Sequence, residues 1–113
     1  MHITPEMVEA AYELARTMPP FRGWKLPHPD HLEFGILTTK ERFGHFRWHN
    51  EGQHELSFSA SCIGSSDVLM RTMMHELCHF EAHRRGYRGE HGGTWRELAN
   101  QVCRIHHLDP KAF

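Results

Sequence analysis

The sequence predicts a small α+β fold. Three short runs in which apolar and polar residues alternate lie between stretches of helical periodicity, and a helix-start signal precedes each helical stretch. Helices flanking a sheet with one apolar face must cover that face, which is the α+β layer arrangement. The 113 residues suffice for one compact domain with a modest core. No linker, repeat or low-complexity segment divides residues 1–113.

The first helix is expected over residues 5–18. Thr4 stands as N-cap and Pro5 at the first helical position, while Val8, Ala11, Tyr12, Ala15 and Met18 recur every three or four residues. Pro19-Pro20 ends it. The connection to Asp30 holds four prolines, and Phe21 and Trp24 are expected to pack beneath it. Strand-like alternation then appears at Leu32, Phe34 and Ile36, at Phe46 and Trp48, and at Leu56, Phe58 and Ala60. Asn50-Glu51-Gly52-Gln53 reads as the turn between the second and third runs. One apolar face per strand implies a small, mostly antiparallel three-stranded sheet covered on one side by helices.

Ser65-Ser66-Asp67 opens a second helix over about residues 67–85, with Val68, Leu69, Thr72, Met73, Leu77 and Phe80 as core positions. Met70, Met73 and Met74 read as core filler. Arg84, Arg85 and Arg88 read as a solvated helix end, where cations complement the dipole. Gly86 and Gly89 break the chain. Thr94-Trp95-Arg96-Glu97 fits a capping box, so a third helix is expected over 95–107, burying Trp95, Leu98, Ala99 and Val102.

Composition excludes several classes. A net charge of −1 gives no general attraction to nucleic acid. The apolar runs are far shorter than the roughly 20 residues a membrane helix needs. The N-terminus carries acids where a secretory signal has basic residues and then an apolar run, so a cytoplasmic protein is expected. Three cysteines without close spacing suit a reducing compartment, and Cys62, Cys78 and Cys103 read as small buried hydrophobes.

The chemistry-bearing motif is His75-Glu76-Leu77-Cys78-His79. Residues four apart share one helix face about 6 Å apart, so His75 and His79 suit one metal ion, and Glu76 reaches a water on it. In this histidine-rich composition such a pattern arises by chance about 0.1 times, so context decides. A catalytic zinc takes three protein ligands. His83 shares the face but lies about 12 Å along the axis from His75, too far to share the ion. A third histidine six residues after His79 would fit metzincins and three-histidine nucleases, but position 85 is Arg. Glu97 is the gluzincin-type candidate and is better explained by the capping box. His91 follows a glycine-bearing turn and precedes Gly92-Gly93, so the chain can fold it back over the motif helix. It is the expected third ligand. His106 and His107 read as helix C-terminal histidines.

Together, HELCHF and His91-Gly92-Gly93-Thr94-Trp95 resemble the SprT-like metalloprotease family, and Gly44-x-Phe46, Glu55–Ser59 and the approach helix through Val68-Leu69 and Thr72-Met73 are similar to its upstream elements. The resemblance spans about residues 32–107. It implies a minimal zincin, with one Zn²⁺ per chain on His75, His79 and His91 and Glu76 as general base. It also implies protein or peptide substrates and low sequence specificity, with a strand near the cleft pairing with extended substrate; the run at 54–60 leads towards the motif helix. Spartan-type relatives digest proteins crosslinked to DNA. A DNA partner follows from the resemblance alone, since the balanced charge does not support it. Such relatives commonly carry a zinc ribbon or DNA-binding tail, whereas this sequence ends six residues after His107. Tyr87, Arg88 and His83 are the candidates for stabilising the oxyanion. The alternative is an inactive zincin-like module that binds zinc and a protein or nucleic-acid partner.

Overall fold

The computed structural model describes all 113 residues. Its elements are α1 (Pro5–Thr17), β1 (Leu32–Leu37), β2 (Gly44–Arg47), β3 (His54–Ser59), α2 (Ser66–Arg84) and α3 (Gly93–His106), with short 3₁₀ turns at Phe21–Gly23 and Pro29–His31. Three helices and one small sheet make the α+β class. No helix is long and apolar enough to cross a membrane.

Helix starts follow the local capping chemistry. The Thr4 hydroxyl accepts from Met7 N–H and the Ser65 hydroxyl from Val68 N–H, each satisfying a donor the helix leaves free. Val8, Ala11, Tyr12 and Ala15 form the buried face of α1, and the Tyr12 hydroxyl donates to the Pro27 carbonyl at 2.6 Å. Phe21 is buried edge-on to Trp24 beneath the proline-rich connection.

The sheet is mixed, not mostly antiparallel. Its order is β1-β3-β2: β3 runs antiparallel to β2 and parallel to β1, in the register Leu32↔His54 to Leu37↔Ser59. Parallel neighbours need a connection of about a dozen residues. Here β2 and its flanking loops provide it. Alternation along a strand reports which face is buried and says nothing about neighbour direction. The Ser61 hydroxyl donates to the Thr38 carbonyl at 2.8 Å and Ser59 N–H to the Phe43 carbonyl at 2.8 Å, which pins the β1–β2 loop to the end of β3. The turn before β3 places Gly52 and Gln53 at positive φ.

Helix α2 packs against α1, α3 and β2. It is therefore buried on more than one face, with Leu69, Met73, Leu77, Cys78 and Phe80 all in the core. Trp95, Leu98, Ala99 and Val102 bring α3 against it. At its C-terminal end, the basic cluster is not simply solvated. Glu81 is fully buried, and Arg84 grips it with two 2.8 Å bonds while Arg85 adds a third. Burial works against the Glu81 charge, but the two arginines outweigh it and hold the carboxyl below its usual range.

The capping box at α3 is also absent. The helix begins one residue before Thr94, with Gly92 as N-cap and no side-chain cap of its own. Instead the Tyr87 hydroxyl accepts from Gly92 N–H at 3.2 Å. The Tyr87 ring fills the space at the glycines: a Cβ on Gly93 would lie 2.7 Å from it, and one on Gly89 would lie 2.2 Å from its hydroxyl. Gly93 also has φ +46°. A tyrosine from the preceding loop thus holds the N–H of the capping residue, and no side chain takes the role expected of Thr94.

Candidate metal centre

Helical spacing puts His75 and His79 one turn apart on α2, and the Tyr87–Gly93 loop returns His91 to the same point. One nitrogen from each of the three lies within 4.8 Å of the others. His79 Nε2 is 3.2 Å from His75 Nε2 and 3.1 Å from His91 Nε2. A tetrahedral zinc with nitrogens at about 2.0–2.1 Å requires neighbouring nitrogens about 3.3 Å apart. The cluster has the donor type and the spacing of a divalent metal site. Burial first, and then the neighbouring imidazole, lowers His75 to about 4 and His79 to about 3. Both are thus neutral near pH 7, the form that binds metal. These residues can hold a metal ion.

Trp95 explains why an aromatic follows the third histidine. It is buried, and its ring centre lies 5.0 Å from His75, 5.3 Å from His79 and 4.6 Å from His91. It forms the floor on which all three imidazoles sit. With Nε2 of His75 turned to the cluster, its Nδ1–H donates to the Phe113 carbonyl at 3.3 Å. That contact fixes tautomer and ring orientation. Sequence reading offered no signal for it, since the partners are far apart in the chain.

Glu76 lines the same cleft, about 620 Å³ in volume, as do His75, His79 and His91. Its side chain is buried, and burial raises its carboxyl to about 8 against the opposing pull of Arg42. Gly44 of β2 passes close by. A Cβ there would lie 3.0 Å from Thr72 Cγ2 and 3.2 Å from Glu76 Oε2, so glycine lets the strand approach the carboxylate without either neighbour giving way. The strand beside the cleft is therefore β2, not the 54–60 run. β3 is the middle strand with both edges paired, whereas β2 is an outer strand whose Gly44, His45 and Phe46 line the cleft.

The remaining candidates separate clearly. Glu97 is exposed and outside the histidine cluster. The Cys62 thiol faces the Thr39 carbonyl at 3.6 Å, and Cys78 and Cys103 are buried and free. Tyr87, Arg88 and His83 all line the cleft. Arg88 Nη1 donates to the His83 and Tyr87 carbonyls, and the His83 ring stacks on Trp48 at 4.6 Å. Arg42 and Arg71 also line the cleft and were not singled out from the sequence. The signal for Arg71 was available, because it stands four residues before His75 on the motif helix.

No curated protein matches this chain. The SprT-like family matches residues 23–112, from the 3₁₀ turn after α1 to the loop that meets His75, and so takes in every residue of the cluster. With that match covering most of its length, the chain belongs to the SprT-like family.

Proposed function

We infer that this protein is a zinc-dependent endopeptidase carrying one Zn²⁺ on His75, His79 and His91, with Glu76 as general base. The convergence of three imidazole nitrogens beside a buried glutamate carries this reading. A structural zinc is usually closed by four protein ligands, often Cys, and has no use for such a glutamate. When bound, zinc polarises a water and the scissile carbonyl, and its charge favours the ionised form of Glu76.

The residues of the chain do the rest. Glu76 accepts the proton of the attacking water and passes it to the leaving amine, so water is split across the broken C–N bond. The free edge of β2 pairs with an extended substrate through main-chain hydrogen bonds, which favours protein or peptide substrates of varied sequence. Tyr87 donates to the developing oxyanion. Its hydroxyl accepts from Gly92 N–H and so keeps its own proton to give, whereas Arg88 Nη1 is occupied by carbonyls. Tyr87→Phe keeps the ring among its glycines and should lower kcat about 100-fold with little change in KM. An unchanged kcat would move the role to Arg88 or His83.

The decisive test measures bound metal and casein cleavage together. One zinc per chain is expected, with cleavage lost on chelation and restored by Zn²⁺. Bound zinc without cleavage of any protein would make this a zinc-binding module instead.

A further inference from the structure

Arg42, Arg71 and Arg88 line the cleft that holds the three histidines, and none has a carboxylate within ion-pairing distance. Arg42 contacts His45 Nδ1 at 2.9 Å, and Arg88 is anchored by main-chain carbonyls through Nη1 alone, which leaves its Nε and Nη2 donors for a carboxylate. Arg16, Arg47, Arg84 and Arg85 are paired with glutamates, while Arg22, Arg96 and Arg104 are unpaired but do not line the cleft. Apart from Glu76, the one acid lining the cleft is Glu90. In a chain of net charge −1, the cleft lining thus sets three arginines against two glutamates where substrate would lie.

The arginines are also ordered along the site. Arg71 precedes His75 by one turn of α2, and Arg88 is tied to the His83 carbonyl near the other end of that helix. Residues 71 and 83 are about 18 Å apart along the axis, the span of about five or six extended residues. Arg42 lies between β1 and β2, next to the strand edge that reaches Glu76.

We propose that the cleft selects acidic polypeptide segments, with Asp or Glu about two or three residues to either side of the scissile bond meeting Arg71 and Arg88. The proposal rests on the endopeptidase reading above and names its substrate class. A peptide fits better than a nucleic acid. A nucleic-acid strand needs a continuous basic track, and Arg84 and Arg85, which would extend one, both turn onto buried Glu81, which cancels one of their two charges.

The test uses three peptides with one core sequence and acidic, neutral or basic flanks. Wild-type zinc-loaded protein is assayed for kcat/KM, and zinc-loaded Glu76→Gln for binding by fluorescence anisotropy. Acidic flanks should gain about 3- to 10-fold over neutral ones at low salt, and the gain should shrink in high salt. Arg71→Glu with Arg88→Glu should reverse the order and improve binding of the basic peptide, a gain that misfolded protein cannot produce. Cleavage of all three peptides at equal kcat/KM overturns the acidic preference and leaves the endopeptidase reading intact. Selective binding of the acidic peptide with no cleavage supports the preference and overturns the endopeptidase reading. A single-stranded oligonucleotide that binds more tightly than the acidic peptide overturns the proposal in favour of a nucleic-acid ligand.

Discussion

Glu76→Gln should retain its zinc and lose peptide hydrolysis by about 10²–10⁴-fold in kcat. The amide has the size and shape of the carboxyl, so its packing beside Gly44 persists and the melting temperature should hold. What disappears is the ability to take a proton from water. A 10³-fold loss corresponds to about 4 kcal/mol of transition-state stabilisation. Zinc content by mass spectrometry, with casein cleavage on the same sample, separates the alternatives. Retained turnover removes Glu76 as the base. Loss of zinc along with activity would show that Glu76 acts by holding the histidines in place.

The second large effect concerns His91. Replacing it with alanine leaves two imidazoles one turn apart on α2 and removes the only nitrogen the loop contributes to the cluster. Loss of residues that merely orient a metal ligand costs about 10–100-fold in affinity, so loss of a ligand itself should exceed about 100-fold. His83→Ala is the matched control. It stands four residues after His79 on α2, yet its ring stacks on Trp48 and lies outside the cluster. Zinc affinity should fall in His91→Ala and hold in His83→Ala, measured by competition with a chromophoric chelator. Unchanged affinity in His91→Ala would transfer the third position to another group.

Features of this protein that depend on neighbours within a turn were legible in its sequence. Thr4 and Ser65 cap the helices they precede because a hydroxyl reaches an N–H three residues on. His75, Glu76 and His79 share one neighbourhood because helix geometry fixes the spacing. His91 was legible for a different reason: glycines on both sides let the chain double back onto the helix. Tertiary structure decided whatever depends on partners far apart in the chain. It set β1 parallel to β3 and left β2, not β3, with a free edge beside Glu76. It started α3 ahead of the expected Thr94–Glu97 box, with Gly92 N–H on the Tyr87 hydroxyl, and tied Arg84 and Arg85 to a glutamate that became buried only when α2 was enclosed. It joined His75 to the Phe113 carbonyl and gathered Arg42, Arg71 and Arg88 around one cleft. A cap or a helical spacing is settled by the few residues that form it. A strand's neighbour, a buried charge's partner and the field inside a cleft are settled only when distant segments compete for the same space.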